Sequence, residues 1–186
     1  MNYTELSARI QAYAENDFPA SAGNLTSSQQ IATFVQQAED RIYNTVQLPA
    51  LRKNVTGTLT VNNKYLSCPA DFLSVYSLAV VTGVTGGDIN TGTYEYLLNK
   101  DVNFIRQAYP QPTDTGLPRY YALFGPTIAG STITNELTFI LGPTPDANYS
   151  VELHFYYYPE SIVTAGTSWL GDNFDSVLLY GSLVEA

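Results

Sequence analysis

The sequence predicts an α+β fold: about four helices together with an antiparallel β-rich region. Three observations carry that prediction. In residues 27–48, Ile31, Phe34, Val35, Ala38, Ile42 and Val46 recur at three- and four-residue intervals, the period of one helix face. In residues 150–158, Val151, Leu153, Phe155 and Tyr157 alternate with Glu152, His154, Tyr156 and Tyr158, the period-two pattern of a strand. Between 118 and 158, Gly and Pro break the chain into short runs with strand character.

The first expected helix covers 3–15, where Tyr3, Leu6, Ile10 and Tyr13 share a face before Asn16-Asp17-Phe18-Pro19 stops it and a Ser/Ala/Gly/Asn loop follows. The second opens at Ser27, which has capping-box spacing to Gln30, and ends by Leu48 because Pro49 follows. Its polar face is read as Gln36, Gln37, Glu39, Asp40 and Arg41. Residues 55–61 alternate Val, Gly and Leu with threonines, and Asn62-Asn63 makes a tight turn into Tyr65-Leu66. Pro69 and Asp71 form a corner, and residues 72–82 read as a buried strand ahead of the glycine-rich tip GVTGGDINTG, 83–92. A third helix is expected over 94–109, from the spacing of Tyr94, Leu97, Leu98, Val102 and Ile105. Strands are expected at 118–125, 127–134, 136–142 and 149–158, with Pro126 and Pro143 at strand ends. The last helix opens at Trp169-Leu170-Gly171 with Asp172 as its N-cap. Phe174, Val177, Leu178, Gly181 and Val184 form one stripe, and Leu179, Tyr180 and Leu183 fall outside it. A helix apolar nearly all round is buried on more than one side. The pattern runs to Ala186 without a stop signal.

Composition narrows the function. The 186 residues carry a net charge of −9 with only eight Lys and Arg, and those eight are scattered. Phosphate recognition needs clustered cations, so a nucleic-acid reader is not indicated. Charged residues make up only 13% of the chain, while Tyr, Thr, Ser, Asn and Gln abound. A surface of neutral polar groups and tyrosines suits a protein covered by other subunits. The single Cys68 excludes an intrachain disulfide and a cysteine-based zinc site. No apolar stretch reaches the roughly 18 residues of a membrane span. Residues 1–15 contain acids and no apolar core, so they do not read as a secretion signal. The sequons at Asn24, Asn54 and Asn148 read as chance in a chain rich in Asn, Ser and Thr.

No catalytic constellation stands out. His154 is the only histidine, and no G-x-S-x-G elbow accompanies it. Glu39 and Asp40 are adjacent on a helix, so they point about 100° apart and read as a solvated face. The stretch 83–92 lacks the Lys-Ser/Thr of a phosphate loop and reads as a turn. No carboxylate pair is singled out for glycosidase work. Neither a metal nor a cofactor is expected. The aromatic side chains are more informative. Tyr156, Tyr158, Trp169, Leu179, Tyr180 and Leu183 are candidate subunit-interface residues. Packing beneath the last helix remains open for the strand tyrosines, and so does a sugar-stacking platform, which would make the chain a carbohydrate-binding or host-recognition module.

Four stretches together resemble the head-to-tail adaptor (connector) proteins of tailed bacteriophages, especially those of short-tailed phages: AEDRIYNTVQLPALRK (38–53), YEYLLNKDVNFIRQAYP with GLPRYYAL (94–123), LGPTPDANYSVELHFYYYP (141–159) and WLGDNFDSVLLYGSLVEA (169–186). The resemblance spans most of the chain in one order. It implies a small helical bundle, residues 1–53 and 169–186, with a β-rich insertion, 54–168, that contains the helix at 94–109. It also implies a homo-oligomeric ring, typically of twelve copies, between the portal protein and the tail nozzle protein at the head–tail junction of the virion. DNA would pass through that ring unbound, and a C-terminal extension would climb along the portal. A ring of acidic chains would repel DNA phosphates over about a nanometre, which predicts acids rather than Arg or Lys facing the channel.

Overall fold

The computed structural model describes residues 1–20, 25–129, 132–135 and 137–186. Six helices are present among them: α1 (Tyr3–Ala14), α2 (Ser27–Thr45), α3 (Val102–Ala108), α4 (Ile162–Ala165), α5 (Trp169–Asn173) and α6 (Asp175–Glu185). The strands are β1 (Arg52–Thr58), β2 (Tyr65–Ser67), β3 (Phe72–Thr82), β4 (Thr93–Tyr96), β5 (Leu98–Asn99), β6 (Thr115–Gly116), β7 (Tyr120–Leu123), β8 (Thr127–Ala129), β9 (Thr132–Asn135), β10 (Thr138–Gly142), β11 (Thr144–Pro145) and β12 (Ser150–Tyr157). Residues 21–24 of the expected first loop, with the sequon at Asn24, and residues 130, 131 and 136 of the expected strands lie outside the described residues.

This corrects the expected architecture. The chain is not at heart a small bundle of about four helices. It is an α+β protein with six described helices and a strand content of 29%, comparable to its helix content. The physical reason is that the strands assemble a hydrophobic core of their own. Two compact units result: Met1–Leu51 with Tyr158–Ala186, and Arg52–Tyr157.

In the β unit, one four-stranded antiparallel sheet has the order β1-β12-β3-β4, and a second has the order β2-β10-β7-β5. Alternation along the strands dictates which residues meet. Leu78, Val80, Val151, Leu153 and Phe155 from the first sheet share a buried cluster with Tyr121, Phe139 and Leu141 from the second. Ala122 and Ile140, one residue out of phase on the second sheet, point to its other face and pack with Ile105 of α3. The glycine-rich stretch 83–92 closes the β3–β4 hairpin, in which Thr82 pairs with Thr93. At its end, Gly92 has no room for a side chain: a Cβ would stand 2.5 Å from Val81 Cγ1 and 2.7 Å from the Thr82 carbonyl oxygen. Gly92→Ala is therefore expected to destabilise the β unit by about 1–3 kcal/mol, seen as a lower urea midpoint with an unchanged slope.

Two local expectations fail for identifiable reasons. The helix expected over 94–109 is confined to Val102–Ala108, with Asp101 as its N-cap, and residues 93–99 form β4 and β5. Thr93-Tyr94-Glu95-Tyr96 has strand-favouring residues, and β3 offers an open edge to pair with. The turn at Asn62-Asn63 exists, with Asn62 in the left-handed region at φ 62°, but it does not close a hairpin. β1 pairs with β12 and β2 with β10, so the turn passes the chain from one sheet to the other.

In the helical unit, α1 is closed by a capping box between Asn2 and Glu5. α2 is capped by Thr26 with Gln29, one residue before the expected Ser27–Gln30 pair, because the Thr26 hydroxyl accepts the Gln29 N–H. Leu6, Ile10, Ile31, Val35, Ala38, Leu178 and Leu179 are buried. α6 packs against α2 and α1, with Gly181 facing Ala38 and Ile42 of α2.

Candidate functional site

The candidate interface residues fall into distinct environments. On α6, Leu179 is 4% exposed and faces the core of the helical unit, whereas Tyr180 is 58% exposed. Leu183 is half-buried. Val177, Tyr180 and Val184 follow one another at helical spacing, and all three stand in water. Tyr13 of α1 joins them, its exposed ring set edge-on to that of Tyr180 at 6.5 Å. The expectation that the last helix needs cover on several sides thus divides in two. α1 and α2 cover part of it, and one apolar face is left over. The helix is also broken: α5, capped by Ser168, ends at Asn173, and α6 begins after Phe174. Asp172 therefore sits inside α5 rather than at an N-cap. Trp169 is half-buried and packs on Phe174 at 5.5 Å.

The two strand tyrosines belong to different units, Tyr156 to the β unit and Tyr158 to the helical one. Tyr156 is only 7% exposed, although alternation assigns it to the polar face. It stays on that face, outside the buried cluster between the sheets, and Tyr76 meets its ring edge-on at 6.3 Å. The Arg52 guanidinium lies 5.2 Å from its ring centroid and 4.1 Å from that of Tyr76, a cation–π arrangement. Tyr158 belongs to the helical unit. Its hydroxyl donates to Asp40 and its ring meets Tyr43 edge-on at 5.8 Å. Burial, and then the hydrogen bond to Asp40, raise its pKa above that of a free tyrosine.

Glu39 is the residue that the helix reading misplaced. It does not lie on a solvated face: it is 2% exposed, and its Oε1 accepts the Ile162 N–H at 3.0 Å. Its Oε2 has no hydrogen-bond partner among the described residues. The spacing contained the signal, because Ile31, Val35 and Glu39 are separated by four residues each and so share the buried stripe. Glu39 and Asp40 are not separated by their adjacency either; together with Gln36, Tyr43, Tyr158, Pro159 and Ser161 they line one half-open cavity of about 320 Å³. Burial raises the Glu39 pKa, an effect only partly offset by the Ser161 hydroxyl and the Ile162 N–H.

A sign follows for stability. A carboxyl whose folded pKa is raised favours folding most while it is neutral, below its unfolded pKa near 4.5. That contribution is lost as the pH climbs through the raised value. Glu39→Gln does not titrate, so its melting temperature relative to the parent is expected to rise between pH 4 and pH 8. Thermal melts across that range check this, and a difference that stays flat or falls would contradict it.

Cys68 and His154 both lie in the β unit. Burial pushes the Cys68 thiol up to about 12, so it is protonated at neutral pH and a poor nucleophile. His154 packs edge-on to Tyr76 at 5.2 Å. Among the described residues, no three His, Cys, Asp or Glu side chains gather in a metal-binding group, and no helix is long and apolar enough to cross a membrane.

A family model described as SU10 adaptor protein matches residues 1–186. No curated protein matches the chain.

Proposed function

Since the chain belongs to the SU10 adaptor protein family of phage head-to-tail adaptors, we propose that it is a structural virion protein. Copies of it form a ring, typically of twelve, between the portal protein and the tail nozzle protein. The ring surrounds the channel through which DNA leaves. It sits at the head–tail junction and does not act as an enzyme. The observation that carries this reading is the apolar face of Val177, Tyr180 and Val184 with Tyr13, which suits burial by a neighbouring copy or by the portal. Tyrosine is well fitted to that position, because it combines a large apolar body with a polar tip. Trp169 and Leu183, both half-buried, extend the proposed contact. The net charge of −9 suits a channel wall that does not hold phosphates, with acids rather than Arg or Lys facing the lumen.

The test is assembly. The purified chain mixed with portal rings of the same phage should co-sediment with them and appear in electron micrographs as an added ring. A chain that remains monomeric and ignores the portal would overturn the reading.

A further inference from the structure

The cavity beside α2 presents unmet charge. Its wall carries two carboxylates, Glu39 and Asp40, and no basic side chain. The cation next in sequence, Arg41, is engaged elsewhere, with its Nη2 at 2.5 Å from Glu185 Oε1. Glu39 is almost wholly buried, yet one of its two oxygens has no partner among the described residues. A desolvated carboxylate is tolerated when an opposite charge and donated hydrogen bonds compensate it. The Ile162 N–H donates to its Oε1, and the Ser161 hydroxyl offsets a further part of the burial, while Oε2 stays unpartnered among the described residues. A cation entering the cavity would supply the rest.

We propose that this cavity is a socket for an arginine side chain of another polypeptide, whose guanidinium docks on Glu39 and Asp40. The choice of arginine follows from the walls. A planar guanidinium presents several N–H groups in a fixed fork, so one group reaches two neighbouring carboxylates. The half-buried ring of Tyr158 provides aromatic surface against which that plane packs. About 320 Å³ accommodates the guanidinium and part of its stem. A divalent cation fits less well, since Ca²⁺ takes about six to eight oxygen ligands and only two carboxylates stand here. The inference goes beyond the adaptor reading and does not require a ring.

The experiment titrates the intact chain with N-acetyl-arginine amide at constant ionic strength and follows backbone amide resonances by NMR. The expected result is saturable shifts centred on residues 36–43 and 158–161, with the midpoint raised at least tenfold in both Glu39→Gln and Asp40→Asn and unchanged in Glu95→Gln, which removes an exposed carboxylate outside the cavity. Asp40 is exposed, so Asp40→Asn keeps the test decisive if Glu39→Gln fails to fold. Shifts that do not saturate, that are equal in all variants, or that N-acetyl-lysine amide, tetramethylammonium or Ca²⁺ reproduces at the same concentration would overturn the proposal.

Discussion

Replacing Tyr180 and Val184 together by aspartate is expected to abolish incorporation into the portal-bound ring while the chain stays folded. The two halves of that result have separate causes. Val184 is 72% exposed, and Tyr180 makes one edge-on ring contact, with Tyr13. Exposed substitutions of this kind usually change stability by less than about 0.5 kcal/mol each, with the weaker helix propensity of Asp adding a few tenths. The circular dichroism spectrum and melting temperature should therefore stay close to those of the parent. In an interface the same changes are severe. Removing a central tyrosine typically costs about 2 kcal/mol or more. Burying a new, unpaired carboxylate against an apolar partner adds several more. Together these exceed a hundredfold loss of affinity at every site around a ring. Co-sedimentation with portal rings should then fall to background. Leu179→Asp makes the contrast, because Leu179 faces the core of its own unit and that variant should fail by unfolding. A double variant that still joins the portal would place the contact on another face.

Much of the local structure was legible because short-range physics decides it. The α2 stripe, the β3 limits at 72 and 82 and the alternation along β12 up to Phe155 all follow from period and burial. What was not legible depends on which edge a segment finds. Residues 93–99 have helical spacing and strand-favouring side chains at once, and the open edge of β3 decided between them. Asn62-Asn63 reads as a hairpin because a tight turn joins neighbours in most small sheets. Here the strands on either side pair with β12 and β10, partners found 71 to 104 residues further along the chain. Glu39 is a different kind of miss. Its four-residue spacing from Val35 puts it on the stripe, but an acidic residue type points to a solvated face, and here the spacing wins. The sequence likewise offered Leu179, Tyr180 and Leu183 as one set. Only the docking of α6 on α1 and α2 separates a core residue from an exposed one.

Phe139→Ala is expected to cost about 3–5 kcal/mol. The ring is fully buried on β10, at the point where the two four-stranded sheets share their core. Phe72 and Tyr121 meet it edge-on, with centroids at 5.5 and 5.6 Å. Each such pair contributes roughly 0.5–1.5 kcal/mol beyond the area it buries. Truncation removes both contacts and leaves a void that the strands close only in part, because backbone hydrogen bonds fix β10 between β2 and β7. Since marginal domains hold only about 5–15 kcal/mol in all, the β unit should lose much of its stability. Chemical denaturation followed in the far ultraviolet, together with amide exchange at β3, β10 and β12, reads this directly. Leu178→Ala, on a fully buried site of α6, is the matched change in the helical unit and should leave exchange in those strands largely unaltered. A loss below about 1 kcal/mol for Phe139→Ala would mean that the two sheets do not rest on this ring, and the division of the chain into two separately cored units would have to be redrawn.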